Sequence, residues 1–257
     1  MENQYPLFAG GRILKKEALW DLRDYVYGSM QLYYMDYTDG IVRGCDIHVE
    51  GGHLVIGKGI LKYGDFLYLV QEEVRIPFEA ENRLVALKAA FSVKRDHPDY
   101  LSYQVAFLLD QDIERQENQI ELCRFHLREG SVLRDTYRDF TDLNTKYDTI
   151  NLLYATVAGR SKERLHPKVL LKYAQELQIN NAKAIEDIAF CYHIFQNKGE
   201  VERNVVEAYL QDKWGDEIAK AEEILENGMC FERLEALLKE RVDNRDRGQR
   251  QRVIFVE

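Results

Sequence analysis

Apolar side chains recur at three- and four-residue steps across residues 13–37, with Leu19, Leu22, Val26, Met30, Tyr33 and Tyr37 on one stripe. That spacing predicts an amphipathic helix. Lys15, Glu17, Asp21, Arg23 and Asp24 fall mostly off the stripe. Asp39-Gly40 is expected to end the helix, with Gly40 as a left-handed cap.

The period then shortens to two. Residues 41–50 are predicted as a strand in which Ile47 and Val49 alternate with Asp46, His48 and Glu50, and Gly51-Gly52 suits a two-residue hairpin turn into a return strand at 53–56. Short strands are predicted at 60–63, 66–70 and 74–77, punctuated by Gly57, Gly59 and Gly64. Longer ones are expected at 83–91, 101–109 and 120–127. So many short, regularly spaced strands predict a small antiparallel β-barrel or sandwich.

The rear has a different texture. Residues 135–148 are polar and poor in Val and Ile, and read as a linker; residues 149–157 are apolar but of no clear type. Pro167 suits the first turn of a helix carrying Val169, Leu170, Tyr173 and Leu177 inward. Asn181 is a candidate cap for the next helix, whose predicted stripe is Ile185, Ile188, Tyr192 and Phe195, ending at Gly199. Further helices are expected at 201–214, around Ile218, Ala221, Ile224 and Leu225, and around Phe231, Leu234, Leu237, Leu238 and Val242. An Arg-rich stretch at 241–252 precedes a strand-like Val253-Ile254-Phe255-Val256. The expected fold class is therefore α+β: an N-terminal helix, a small antiparallel β-barrel or sandwich, then an all-α C-terminal domain. The expected division is 1–134, a linker at 135–148, and 149–257 with a basic tail.

Composition narrows the classes. The 257 residues are 46% hydrophobic and 31% charged, which is globular. A net charge of -9 repels phosphate, and neither half is basic: the chain up to Tyr147 carries -6 and the remainder -3. Nucleic acid is not expected as a partner. Cys45, Cys123, Cys191 and Cys230 are far apart and sit among apolar neighbours, as free core cysteines do. Residues 1–11 lack a leader pattern, and no apolar run reaches the length of a membrane span. Folding in a cytoplasm is the expectation.

Candidate chemistry is thin. Residues 52–59, GHLVIGKG, nearly match the phosphate loop G-x-x-x-x-G-K-S/T. Gly59 stands where a hydroxyl would hold Mg²⁺, and no helix pattern follows to face the phosphates. A hairpin strand between glycine turns is the preferred reading. His48 and His53 flank one turn and could meet His126 across a sheet, but no tight ligand spacing accompanies them, so solvent-facing strand histidines are preferred. Cys191 and His193 are two apart on a predicted helix and point to different faces. No G-x-S-x-G is present. No residue is nominated as catalytic, cofactor-binding or metal-ligating, and no cofactor is expected. Of the 16 tyrosines, 12 precede Asp148, and Tyr33, Tyr34 and Tyr37 cluster on the first helix. Such a cluster serves an interface or the packing of a helix on its own domain.

One arrangement goes beyond generic packing. A helix with Ala18-Leu19 near its start runs through tyrosines into Asp39-Gly40-Ile41-Val42-Arg43-Gly44-Cys45-Asp46-Ile47. Gly52-His53-Leu54-Val55-Ile56, Gly59-Ile60-Leu61 and Gly64-Asp65-Phe66-Leu67 follow. Residues 119–130, QIELCRFHLREG, complete the set. The series resembles the front of baseplate and tail-fibre-associated proteins of contractile phage tails and phage-tail-like contractile injection systems. The shared pattern is G-hydrophobic-V-x-G-L-x-V, then L-x-V-x-x-G-x-A-x-D-x-x-G-R, then I-x-L-A-R-F-x-L-x-x-G. It covers residues 10–134, with Cys45 where Leu is common and no Arg after Gly64. The resemblance implies a structural, non-enzymatic part of a baseplate or fibre attachment, assembled in the cytoplasm into a particle. Other baseplate, tail or fibre subunits would be its partners, in an oligomeric assembly. The competing readings are a particle-associated glycan hydrolase and, behind it, a nucleic-acid-binding protein.

Overall fold

The computed structural model describes residues 7–8, 10–11, 13–95, 97–180, 184–215 and 226–250, without the side chains of 241–250. Helix α1 spans Lys16–Tyr33. It stops well before Asp39-Gly40. Gly40 instead opens the first strand at φ 141°, where a Cβ would stand 2.7 Å from both Ala158 N and Thr156 O. It is needed for a close backbone approach, and the expected helix cap is corrected accordingly.

Nine strands follow among the described residues. They are β1 Gly40–Gly44, β2 Ile47–Glu50, β3 His53–Ile56, β4 Gly59–Tyr63, β5 Phe66–Val70, β6 Val74–Pro77, β7 Leu84–Lys94, β8 Ser102–Asp110 and β9 Gln119–His126. The Gly51-Gly52 turn has both residues at positive φ, 54° and 77°, and pairs Glu50 with His53. That is the twist a two-residue hairpin requires. The strand expected through Cys45 is broken there, because Cys45 takes φ 54° and sends the chain from one sheet into another.

The strands form three antiparallel sheets, ordered β1-β4-β5, β2-β3-β6 and β8-β7-β9. None closes into a barrel, which corrects that half of the expectation. Each sheet has only three strands, so closure by ladder hydrogen bonds is not reached. Their inner faces share one core, with Leu54, Ile56, Leu61, Leu87, Ala89, Leu122 and Cys123 inaccessible to water.

Residues 149–157 are irregular yet buried. They lie along β9 and β1 through bridges such as Arg124↔Asn151 and Ile41↔Val157, and put Ile150 and Leu152 into the sheet core. Residues 135–148 carry Phe140 and Leu143 into a second, helical core, while Tyr137 packs against both cores. Arg134, just ahead of this stretch, pairs with Asp142 inside it at 2.5 Å.

The helical core contains α2 Pro167–Ile179, α3 Ile185–Gln196, α4 Arg203–Trp214 and α5 Asn227–Arg250. Val169, Leu170, Tyr173 and Leu177 of α2 point inward as their spacing predicts. In α3 the predicted stripe is wrong. Asp187, Phe190, Cys191 and Ile194 are buried, while Ile185, Ile188 and Tyr192 are exposed. The reason is polar: Asp187 Oδ1 accepts the Tyr209 hydroxyl at 2.9 Å and pairs with Lys213 Nζ at 3.2 Å, so its face must turn inward. The predicted Asn181 cap, the helix around Ile218 and the strand-like 253–256 lie outside the described residues.

Candidate functional site

Sequence motifs for chemistry resolve into structural roles. Residues 53–56 of the near phosphate loop are β3, with Leu54, Val55 and Ile56 buried, and β4 begins at Gly59. Strand pairing already uses this backbone, and the chain runs from Lys58 directly into β4 and not into a helix. His48 and His53 lie on the β2–β3 hairpin, opposite Val55 and Glu50 respectively. His126 belongs to a different sheet, where it approaches Asn82 Oδ1 at 3.2 Å and packs edge-on to Tyr147. The three are not brought together, and no metal-holding group of three His, Cys, Asp or Glu occurs among the described residues. All four cysteines are free and buried. Burial pushes the Cys45 thiol up to about 12, which makes it a poor nucleophile.

The titratable groups with displaced proton affinities serve packing. His166 is buried; desolvation and, second, the charge of Lys168 push it down to about 3. The neutral ring accepts the Lys168 amide at 3.2 Å and caps α2. Arg134 holds Asp142 well below the usual carboxylate range, chiefly by its paired hydrogen bonds. Glu176 is raised by burial and is spent accepting the Phe140 amide at the helical core. Lys88, in the middle of β7, is buried and satisfied by Asp110 at 3.0 Å and the Glu114 carbonyl at 2.7 Å.

The feature without a structural role is α1. Not one of its 18 residues is buried. Leu19, Leu22 and Val26 are 47%, 46% and 50% exposed, and Tyr33 is 68% exposed. The helix is held at its C-terminal half. Gln31 Nε2 donates to the Asp65 carbonyl at 3.2 Å, and Tyr27 stacks near Phe66 with centroids 6.3 Å apart. At and just beyond its end, Tyr33, Tyr34 and Tyr37 meet edge to edge at 4.9 and 5.1 Å. Thr38 N donates to the Gly159 carbonyl at 2.9 Å, and the Gly64 amide donates to Asp39 Oδ1 at 2.8 Å. These contacts tie residues 34–39 to the β4–β5 turn and to Gly159.

Tyr27, Gln31 and Tyr34 thus define the side of α1 that faces the sheets. At 3.6 residues per turn, Leu19, Leu22, Val26, Met30 and Tyr33 lie about a quarter turn away. The stripe legible in the sequence is real, but among the described residues it is left open to water. A recess of about 360 Å³ lies beside the anchored half, between Gly28, Leu32, Met35 and Lys62, Asp65, Leu67. Under it runs an aromatic seam in which Phe66 stacks on Tyr103 at 3.7 Å and Tyr63 on Phe91 at 4.8 Å. Such a seam makes a stiff base for the helix, because aromatic pairs lose few rotamers.

The fold therefore defines a mixed helix-and-sheet protein with two cores and, among the described residues, a first helix that is left uncovered. No helix among the described residues is long and apolar enough to cross a membrane. No protein-family model matches the chain, and no curated protein matches it. Solved structures similar to the chain include two at low sequence identity. A crystal structure of TssK is 10% identical, with a TM-score of 0.43 over 93% of this chain and 72% of that one. A chain of the TssK-TssF-TssG baseplate subcomplex of the type VI secretion system is 9% identical, with a TM-score of 0.41 over 93% of this chain and 100% of that one.

Proposed function

We propose that the protein is a structural subunit of a contractile-injection-type particle, acting in its baseplate or at a fibre attachment through contacts with other subunits. The particle class comes from the motif series in residues 10–134. The contact role is carried by α1, which exposes an apolar stripe on a rigid seat. The likenesses to solved structures, at TM-scores of 0.43 and 0.41, carry no part of this reading. On it, the protein assembles with other baseplate, tail or fibre subunits, and works without a cofactor and without nucleic acid. We also propose the division into a β-rich front at 1–134, a connection at 135–148 and a helical rear at 149–257, with 149–157 serving the front core.

A helix this apolar and this open costs solubility unless a partner covers it. Co-elution on a sizing column tests the reading, using the full chain with the sheath, tube and baseplate proteins of a contractile particle from the same source. A complex that forms with the native chain and is lost with Leu22→Glu/Val26→Lys is the expected result. A chain that elutes alone in the presence of every one of them refutes it. The glycan-hydrolase alternative needs two carboxyls of divergent proton affinity in one cleft. The raised carboxyl, Glu176, instead caps a backbone amide, so nothing favours that alternative.

A further inference from the structure

Three strand edges meet at one groove. β5, β6 and β8 are each an outer strand of their sheet. Between them lies a groove of about 450 Å³ lined by Leu69, Val74, Ile76, Val105 and Phe107. The last four are half-buried and pack against the sheet core, so the groove is core surface left open to water. Leu69 is 58% exposed on its rim.

β8 is an unusual edge. It runs nine residues, SYQVAFLLD, with no Lys, Arg, Glu or Pro, and its one charge is Asp110 at the end. Edge strands are ordinarily guarded by such residues, because their outward N–H and C=O groups are a template for another strand. β8 pairs with β7 alone among the described strands, and lacks that guard. Val105, Phe107 and Leu109 pack on the sheet core, and Tyr103 stacks on Phe66 on the same face. Gln104 and Ala106 are exposed on the opposite face.

This edge is complementary to itself. A twofold axis normal to the sheet at Ala106, the middle residue of β8, sets two copies of the strand antiparallel. Val105 then faces Phe107 of the second copy, Tyr103 faces Leu109, Gln104 faces Leu108 and Ser102 faces Asp110. Every residue of the strand pairs, core face continues into core face, and no like charges are opposed. Lys94 pairs with Ser102 across β7 and β8, so it closes the row that holds Asp110 of the second copy. Lys94 is exposed and forms no ion pair among the described residues. A cation two strands from the partner's one charged edge residue suits this antiparallel pairing.

We propose that the free edge of β8 is taken by β8 of a second copy of this chain, in an antiparallel twofold pair centred on Ala106. The pair joins two three-stranded sheets into one continuous sheet. It gains ladder hydrogen bonds along β8, and Val105 and Phe107 of each copy extend over the groove of the other. This inference is independent of the baseplate reading.

Sedimentation equilibrium on the full chain, with no other protein present, tests it. A dimer is the expected result. Ala106→Lys sets two ammonium groups directly opposite each other on the exposed face. It should weaken dimerisation about tenfold or more, with the circular dichroism spectrum of the dilute chain unchanged. The register is read by cross-linking under mild oxidation, since the native cysteines are buried. Ala106→Cys should form a disulfide across the axis, where opposed Cα atoms stand about 4.5–5.5 Å apart. Gln104→Cys, on the same exposed face, would lie about 14 Å from its copy and should stay reduced. A native chain that remains monomeric at about 100 μM overturns the proposal, and so does a β8 edge protected from hydrogen exchange only when another particle protein is added. Association that Ala106→Lys leaves intact overturns it too, as does Gln104→Cys cross-linking as readily as Ala106→Cys.

Discussion

Helices α1 and α2 look alike in sequence and have opposite fates. Both carry apolar residues at three- and four-residue steps. In α2 that stripe becomes core: Val169, Leu170, Tyr173, Ala174 and Leu177 are buried. In α1 nothing is buried, though the stripe is longer. The ends differ as well. α2 starts with Pro167 in its first turn and His166 capping it, whereas Lys15 gives α1 no side-chain cap. α2 is finished within this chain, and α1 is left uncovered among the described residues. Periodicity reports which face of a helix is apolar; it does not report what covers that face.

The largest effect should come from emptying the covered helix. Leu170→Ala removes a side chain with no exposure to water. It should cost about 2–5 kcal/mol, because the cavity adds to the lost transfer energy. Urea unfolding would measure it. The equivalent Leu19→Ala in α1 should cost far less, since half of that side chain is already wet. Equal losses at the two positions would break the contrast.

The second effect separates the helix starts by pH. The folded pKa of His166 is depressed to about 3 from 6.5, so the unfolded chain binds its proton first as pH falls. Stability contributed by the neutral ring is therefore complete above pH 6.5 and is lost as pH falls toward 3, by at most about 1.4 kcal/mol per pH unit. Asp142, also held low, loses its contribution only further down, below its ordinary 3.8. His166→Asn keeps an acceptor for the Lys168 amide and removes the titration. Melting temperatures between pH 6.5 and 4.5 should then flatten. A slope unchanged in His166→Asn would remove His166 as its source.

These tests also mark what was legible beforehand. The inward residues of α2 could be read because its other faces are polar. In α3 the sequence IEDIAFCYHIFQ is apolar almost all round, so several stripes fit equally well. The choice was made by Asp187, which turns inward to Tyr209 and Lys213. Both partners lie on a different helix, and no local pattern announces them. The strands were legible from glycine turns and alternation, but sheet membership was not. Cys45 at positive φ splits one predicted strand between two sheets, and nothing local in the sequence marks a cysteine for that conformation. For the same reason β8 reads as an ordinary strand. That it forms an unguarded edge depends on which strand pairs with β7 on each side.

Smaller still is the effect of Gly28, in the middle of α1. A Cβ there meets nothing within 4 Å. Gly28→Ala should stabilise the isolated chain by about 0.5–1 kcal/mol, through helix propensity alone. Gly28 also lines the recess beside Leu32 and Met35. If a partner backbone approaches closely there, the same variant should weaken complex formation while raising the melting temperature. A gain in stability with unchanged binding would place the contact on the Leu22 stripe and not in the recess.

The smallest change in stability belongs to the variant with the sharpest functional readout. Leu22→Glu/Val26→Lys removes two apolar side chains from the exposed stripe and places Glu four residues before Lys. That pair favours a helix by about 0.2–0.5 kcal/mol, and Glu and Lys are better helix formers than Val. Neither position contributes to either core. The isolated chain should therefore unfold within about 0.5 kcal/mol of the native one. Binding should behave differently, because two charges in the centre of an apolar contact must be stripped of water there. A variant that folds like the native protein and no longer co-elutes with its neighbours assigns the stripe to assembly. One that loses several kcal/mol by itself would mean that α1 is covered by its own chain after all, and the contrast with α2 would disappear.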